Sequence, residues 1–361
     1  MHVVRQTIRF CTSADGVRLA FGMHGGGPPL VRVATWLTHL QYDWDSPLWR
    51  HWLDGLAAGR TLVRYDERGS GLSDRNVSRF SVDAQVEDLA AVVDAAGLER
   101  FSLLGLSQGG GVAIAYAARH PERVSHLVLC GAFSQGRLRR DPSSAARAEA
   151  EALVSMIRAG WGRANPAFRR VFTTLFVPDA THEQMEWFDE LQRISATPET
   201  AALMRLAREE VDVTDLVAQI VTPTLVLHAQ DDAAVPFEQG RALASAIPDA
   251  RFVPLEGRNH ILLADEPAWE MFLRELNAFL PGLPSDDAVA DDVLTARETE
   301  ILRGVAGGMS NQAIAEQLFV SVRTVERHMG NMYAKLGLHG KSGRAALAAR
   351  AASLINDPPD A

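Results

Sequence analysis

The chain is poor in cysteine and has no long apolar run, and each shortage excludes a class of protein. Two cysteines among 361 residues, Cys11 and Cys130, cannot build a disulfide framework. Both are expected to be small buried side chains, which fits a reducing cytoplasm. No apolar run approaches the length of a membrane span, and the first residues lack the apolar stretch of a signal peptide. A cytoplasmic protein of two domains is therefore the first expectation.

Acidic and basic residues are unevenly distributed along the chain. The net charge is −9, yet residues 294–356 contain eight Lys or Arg against four Asp or Glu. The body of the chain is therefore acidic and its C-terminal piece is basic. This asymmetry predicts that only the end of the chain meets a polyanion such as a nucleic acid.

The segment 101–119 has the pattern of a nucleophile elbow. Residues 101–104 are an apolar run typical of a buried strand, and residues 112–119 form a helical run. Between them stands Gly105-Leu-Ser107-Gln-Gly109, a G-x-S-x-G sequence. A serine on such a sharp turn is strained, and its neighbours two residues away approach too closely for a Cβ. The turn exposes Oγ at the carboxyl edge of the sheet, where N–H groups stabilise developing negative charge.

Strands and helices alternate on both sides of this elbow. An opening β-hairpin is predicted at residues 3–10 and 17–23, and alternation predicts a doubly wound, mostly parallel sheet of the α/β class. The further predicted strands are 30–34, 61–65, 124–129, 223–228 and 251–254, and the helices are 81–96, 238–246 and 267–280. Residues 134–219 look helical throughout, so they are expected to form a lid over the carboxyl edge.

Residues 1–280 resemble an α/β-hydrolase with a helical lid. Residues 66–73 match the family's D-x-R-G-x-G-x-S loop, and Asp232 begins a D-x-x-V-P sequence. The resemblance implies a catalytic triad in the family's order: Ser107 as nucleophile, Asp232 rather than Asp231 as acid, and His260 as base. It implies acyl transfer, with His260 taking the proton of Ser107 and Asp232 orienting the imidazole. No metal and no cofactor is expected.

The oxyanion hole departs from the family pattern. The N–H of Gln108 matches one donor, but the His-Gly pair that usually supplies the other is absent. The equivalent stretch reads Ala-Thr-Trp-Leu-Thr-His at 34–39, which places the second donor at Leu37 and a bulky Trp36 where the family keeps glycine. Losing one such donor costs about 100- to 1000-fold in rate. Because this fold also serves as a receptor, turnover and mere sensing of the ligand both stay open.

Other conspicuous residues have ordinary interpretations. The tryptophans at 36, 44, 49 and 52 are expected to pack in the core or the lid. The basic run Arg137-Leu-Arg139-Arg140 is expected on a solvated face.

The end of the chain predicts a linker and three short helices. Residues 281–293 are acidic, contain Pro and Gly, and read as a linker. Thr295 and Glu298 then form a capping box for a helix that ends at the glycines 307 and 308. Ser310 caps a second helix at 311–318, and Ser321 caps a third at 322–336, with a C-cap at Gly337. The expected inward residues are Ile301, Leu302, Val305, Val325, Met329, Met332 and Leu336.

Residues 294–356 resemble the LuxR-type helix-turn-helix DNA-binding domain at nearly every signature position. The resemblance implies that the third helix enters the major groove of double-stranded DNA. Glu326, Arg327 and Gly330 match base-contacting positions, Thr324 and Lys335 match phosphate-contacting positions, and Arg323 shares the outer face. Arg327 favours a guanine and Glu326 a cytosine. The modest positive charge predicts weak binding by one copy, so a homodimer is expected, through an Ala-rich helix at 342–355.

Together these patterns predict a one-component transcription regulator that binds its promoter DNA at the nucleoid. Its hydrolase-like domain would sense a small acyl or ester-like ligand, and one form of this hypothesis adds hydrolysis of the ligand. No membrane partner is expected. The alternative is a serine hydrolase whose C-terminal module only localises or dimerises it. A third class is an inert interaction scaffold, which binds neither DNA nor serine probes.

Overall fold

A computed structural model describes residues 6–281, 296–318 and 320–335. The chain divides into two compact units, Met1–Leu283 and Pro284–Ala361. The predicted linker after Pro281, the caps at Thr295 and Gly337, Leu336 and the dimerisation helix at 342–355 lie outside the described residues.

Eight strands form one sheet in the described part of the first unit, in the order β1-β2-β4-β3-β5-β6-β7-β8. Strand β2 runs antiparallel to β1 and β4, whereas the other neighbours are parallel, so the predicted doubly wound sheet is confirmed. The strands are β1 (Thr7–Thr12), β2 (Arg18–Gly25), β3 (Pro29–Arg32), β4 (Thr61–Tyr65), β5 (Phe101–Leu106), β6 (Val124–Cys130), β7 (Thr224–Ala229) and β8 (Arg251–Leu255).

Successive strand residues feed two separate apolar cores because side chains alternate between the faces of a strand. In β3, for example, Leu30 joins one core and Val31 the other. Helices α1 (Arg50–Ala57) and α11 (Pro267–Phe279) cover the first core, and α2 (Val82–Ala95), α3 (Gly109–Arg119) and α10 (Phe237–Ala246) cover the second. The sequence did not predict α1, because its N-cap residue, Trp49, makes no side-chain capping bond and gives no start signal.

The insertion between β6 and β7 is helical, as predicted for 134–219. Among its described residues, the β-type pairing is limited to one isolated bridge between Gln135 and Asp212. The helices are α4 (Arg137–Arg140), α5 (Ser144–Gly160), α6 (Ala167–Phe176), α7 (His182–Ser195), α8 (Pro198–Glu209) and α9 (Thr214–Val217). Side-chain oxygens of Ser143, Thr181 and Thr197 cap α5, α7 and α8. In the described ranges, none of the helices combines the length and apolarity that crossing a bilayer requires.

Three predictions about individual side chains have different outcomes in the structure. Trp49 and Trp52 are buried in the first core, as predicted. Cys130 is buried, but Cys11 is only partly so, since it lies on the edge strand β1. The basic run 137–140 was predicted on a solvated face: Arg139 is exposed, but Arg137 and Arg140 are only partly exposed and also line a cavity. The reason is that α4 packs tightly on α8, where a Cβ on residue 136 would lie 2.3 Å from a carbonyl oxygen.

The second unit contains α12 (Ala296–Ala306), α13 (Asn311–Gln317) and α14 (Val322–Lys335). Gly308 takes φ +76° after α12, and the hydroxyls of Ser310 and Ser321 accept N–H groups at the starts of α13 and α14, as the capping pattern predicted. The predicted inward residues form the core of this unit, joined by Ile314 and Ala315: Ile301, Leu302, Val305, Val325, Met329 and Met332.

Candidate active site and nucleic-acid interface

Ser107 lies on a strained turn between β5 and α3. Its φ is +50°, in the left-handed region that non-glycine residues rarely adopt. The chain can turn here because a Cβ on Gly105 would lie 2.8 Å from Gly110 Cα, and one on Gly109 would lie 2.9 Å from the Ala34 oxygen. A hydrogen bond of 3.0 Å from the Ser107 N–H to the Cys130 carbonyl ties the turn to β6. The elbow predicted from glycine spacing is therefore present.

His260 and Asp232 form a buried hydrogen-bonded pair. Nδ1 of His260 lies 2.7 Å from Oδ2 of Asp232, and the other carboxylate oxygen accepts the N–H groups of Ala234 at 2.8 Å and Val235 at 2.9 Å. Burial opposes ionisation of Asp232, but the attraction and hydrogen bond of His260 and the Val235 N–H outweigh it. The pKa of Asp232 is therefore below its ordinary value. Asp231, the rejected alternative, is exposed.

His228 supports this pair and was not singled out from the sequence. It is fully buried, with Nε2 3.0 Å from the Val235 carbonyl oxygen and 3.5 Å from Oδ2 of Asp232. Burial lowers the pKa of His228, which favours the neutral imidazole. Neutral His228 donates to the Val235 carbonyl and so fixes the loop whose Val235 N–H binds Asp232, without adding a charge. The sequence signal that could have identified His228 is its position at the end of a predicted strand, four residues before Asp232.

Ser107 and His260 line one small cavity of about 30 Å³. Its other walls are mostly apolar: Thr35, Trp36, Trp49, Trp52, Leu106, Cys130, Phe176, Phe188 and Ile261. Trp36 packs against Trp161, Phe172 and Phe176 of the lid, and its buried indole N–H has no acceptor among the described residues. Ligand pockets usually measure about 300–1,000 Å³, so a ligand must displace part of this aromatic wall.

Hydrogen bonds through Glu67 connect the segments that carry the two predicted oxyanion donors, Gln108 and Leu37. Nε2 of Gln108 donates to the carboxyl of buried Glu67, whose N–H donates to Oγ1 of Thr38 at 3.0 Å. Burial, helped by Asp88, raises the pKa of Glu67 well above its usual range, which favours the neutral acid. Leu37 has φ +64° and a side chain turned into the core, whereas the cavity wall on this side is Thr35 and Trp36.

The Asp66 loop fixes the segment after β3 that contains Leu37. Asp66 accepts the N–H of Leu40 at 2.9 Å and that of Leu72 at 2.8 Å. Gly71 is required beside it, because a Cβ there would lie 2.3 Å from an Asp66 oxygen. The motif at 66–73 thus shapes the oxyanion side of the site rather than contacting the reacting atoms.

Gly131→Ala is expected to slow any ester hydrolysis about 100-fold, because a 1 Å misplacement of a catalytic group has effects of that size. The new Cβ would lie 2.9 Å from Cε1 and 3.1 Å from Nδ1 of His260, so the imidazole must move. Gly97→Ala is the matched control: it has a similar positive φ, +71°, and nothing within 4 Å. Equal loss of activity in both variants, at equal thermal stability, would assign the effect to backbone strain and contradict the prediction.

In the second unit, the sequence-predicted DNA residues lie on α14. Glu326 is exposed, while Val325 beside it is buried. Thr324 is partly buried, and its hydroxyl lies 2.8 Å from that of Ser321. Residues 323, 327, 330 and 335 belong to the same helix, but their side chains are outside the described part. A close crossing brings α12 near α13, where a Cβ on Gly304 would lie 2.8 Å from Ile314.

Comparison with known families fits both units. A family model described as alpha/beta hydrolase fold matches residues 28–267. The chain belongs to the α/β-hydrolase family. A second model, described as bacterial regulatory proteins of the luxR family, matches residues 292–348, so the chain also carries a LuxR-type helix-turn-helix domain.

Similar proteins cover the hydrolase unit. A protein of Azorhizobium caulinodans described as a carbamate hydrolase, RutD, is 29% identical over 255 residues, which are 69% of this chain and 90% of that protein. The pyrrolizixenacetamide deacetylase of Xenorhabdus hominickii is 28% identical, covering 73% of this chain and 94% of its own length. The structure of an esterase from Exiguobacterium antarcticum superposes with a TM-score of 0.63 at 24% identity, over 76% of this chain and 99% of that one. This last likeness shows the fold.

Proposed function

We propose that this chain is a transcription regulator whose α/β-hydrolase domain binds and hydrolyses a small ester or related acyl compound. The observation that carries the proposal is the His260–Asp232 pair facing the Ser107 cavity, in a chain that also has a LuxR-type domain. The named relatives are described as a carbamate hydrolase and a deacetylase, and these descriptions support a substrate with a hydrolysable acyl bond.

In the proposed reaction, Oγ of Ser107 attacks the acyl carbon while Nε2 of His260 takes its proton. Asp232 holds the imidazole through Nδ1 and stabilises the cation that forms. The N–H of Gln108, at the start of α3, and the backbone N–H of Leu37 donate to the oxyanion. His260 then returns the proton to the leaving group, and water cleaves the acyl-enzyme by the same route.

For the DNA-binding unit, we propose that α14 enters the major groove with Glu326, Arg327 and Gly330 near base edges. Thr324 and Lys335 would contact phosphates, and Arg323 would lie on the same face. Double-stranded promoter DNA is then the macromolecular partner, bound by a homodimer. The match to the LuxR family supports this proposal. Burial of Val325, Met329 and Met332 also supports it, because it leaves Glu326 on the outer face of α14.

An electrophoretic shift assay with DNA from upstream of the coding sequence tests the regulator. Saturable, sequence-selective binding that changes when an ester ligand is added is the expected result. No binding to this DNA, with or without ligand, would overturn the proposal.

Arg327→Ala is expected to weaken specific DNA binding by about 1–3 kcal/mol and to relax selectivity at one base pair. The reason is the loss of a bidentate contact to a guanine edge. Lys335→Ala is the comparison, since loss of a phosphate contact should weaken binding to all sequences alike and reduce the salt dependence. Binding of Arg327→Ala to a panel of single-base variants measures this. A uniform loss across the panel would show that Arg327 contacts only phosphate.

The second candidate function is a serine hydrolase whose C-terminal module only localises or dimerises it. The assembled His260–Asp232 pair favours it, because a pure receptor needs no such geometry. Removing residues 294–361 separates the two: unchanged ester hydrolysis, together with no specific DNA binding by the full chain, would select this function.

A further inference from the structure

A second cavity, of about 170 Å³, lies under the lid beside the serine cavity. Its walls come from α4, α5, α6, α8 and the residues that follow Asp232. Phe176 lines both cavities and so separates them. Ala234 and Val235, whose N–H groups hold the Asp232 carboxylate, also belong to its wall. The second cavity therefore touches the loop that positions the proposed catalytic acid.

Positive charge exceeds negative charge in this cavity. Its charged lining residues are Arg137, Arg140, Arg205, Arg208, Glu149 and Glu209. Glu149 pairs with Arg137, and Glu209 pairs with Arg205 at 2.7 Å. Among the described residues, Arg140 and Arg208 form no direct hydrogen bond or ion pair, although Glu209 attracts both and Arg208 lies 5.4 Å over the Phe133 ring. Four guanidinium groups thus share this cavity with two carboxylates, each of which pairs with another arginine.

The Nε–H group of a third arginine, Arg205, also lacks a hydrogen-bond acceptor among the described residues. Arg205 is 7% exposed, and its buried Nε has no hydrogen-bond partner among the described residues. Burial, and next the neighbouring Arg205, lower the pKa of Arg208 to about 9, and burial also lowers the pKa of Arg140. The buried, unpaired Nε–H of Arg205 is unfavourable by itself, and an anion that accepts from it removes the penalty. The planar guanidinium fork matches carboxylate and phosphate oxygens.

We propose that this cavity binds the anionic group, a carboxylate or a phosphate, of a small molecule whose acyl group reaches Ser107. The apolar walls at Leu153, Phe172 and Leu175 would pack against a short chain between the two groups. The part concerning Ser107 rests on the proposed function, whereas the anion site stands on the arginines alone. The ligand class is thus an ester or amide with a free acid at one end, and displacement of Phe176 joins the cavities.

Direct binding tests the anion site without turnover. Isothermal titration of the full-length Ser107→Ala protein with glutarate, and separately with inorganic phosphate, should show saturable binding at constant ionic strength. Adding Arg208→Gln or Arg140→Gln should weaken binding about tenfold or more, the usual loss for a charge-assisted hydrogen bond. Arg158→Gln is the matched control, because Arg158 is an exposed lid arginine paired with Glu199. It should leave binding unchanged.

Hydrolysis of a matched ester pair tests the link to Ser107. The wild-type protein should prefer the mono-4-nitrophenyl ester of glutarate over neutral 4-nitrophenyl pentanoate, which has the same chain length. Arg208→Gln should lower kcat/KM for the anionic ester about tenfold and leave the neutral ester unaffected. Thermal unfolding checks each variant, and Arg140→Gln replaces Arg208→Gln if the latter does not fold.

The outcomes separate the two proposals. Arginine-dependent anion binding without turnover of either ester retains the anion site and contradicts the hydrolytic function. Binding of phosphate but not glutarate supports the site and identifies a phosphate-bearing ligand. Anion binding that is absent, or equal in Arg208→Gln, Arg140→Gln and Arg158→Gln, overturns the anion site.

Discussion

Ser107→Ala should abolish labelling by a fluorophosphonate probe and lower ester hydrolysis about 10⁴-fold or more, because removal of the nucleophile of a triad has effects of this size. The physical reason is that Ser107 stands on the strained elbow at the cavity that His260 also lines, whereas Thr35, the other hydroxyl residue in the described wall, does not. Labelling of the wild type and the variant, with a panel of short-chain nitrophenyl esters alongside, gives the measurement.

Ser102→Ala is the control for this prediction. Ser102 lies on β5, the strand that leads into the elbow, but it is buried, and its hydroxyl lies 3.2 Å from that of Ser125. It should retain full labelling. Labelling that persists in Ser107→Ala would refute the assignment of the nucleophile. A wild-type protein that neither labels nor turns over an ester would mean that the closed aromatic wall at Trp36 and the missing His-Gly donor leave a receptor.

Val325→Asp should eliminate DNA binding and leave ester hydrolysis unchanged. Val325 is fully buried among Ile301, Ile314 and Met332, so an aspartate there places an unpaired carboxylate in an apolar core. Substitutions of this kind destabilise by about 4 kcal/mol or more, which exceeds what a small helical unit can tolerate. Shift assays and ester assays on the same preparation measure both activities.

Gln317→Asp is the matched control, since it adds the same charge at an exposed position of α13. It should keep the unit folded, with only a modest electrostatic loss of DNA affinity. Loss of hydrolysis in Val325→Asp would show that the first unit depends on the second, against the expected independence. Retained DNA binding in this variant would contradict the helix-turn-helix core described above.

The narrow serine cavity has a consequence for sensing. Trp36 contacts Phe172 and Phe176 of the lid, and Phe176 also contacts His260, with ring centroids 5.5 Å apart. A ligand that enters must therefore move lid side chains as well as reach the serine. Under the proposed function, the displacement that admits the acyl group would also change the lid geometry, as sensing by a regulator requires.

The sequence by itself determined the elements whose cause is local. Glycine spacing is sufficient for the elbow, because the turn at Ser107 excludes a Cβ two residues away on either side. Apolar periodicity identifies the core of α12 and α14, because one helix face must be buried in any small helical unit. The D-x-x-V-P spacing distinguishes Asp232 from Asp231, since the carboxylate is bound by the N–H groups two and three residues later.

Tertiary structure alone decided the features that depend on distant packing. Arg137 and Arg140 have the local pattern of a solvated turn, and only the packing of α4 on α8, far along the chain, turns them toward Arg205 and Arg208. His228 likewise resembles an ordinary strand residue until the chain places it under Asp232. Local patterns record which face of an element is apolar. They do not indicate which elements pack against each other, and the burial of charged side chains depends on that packing.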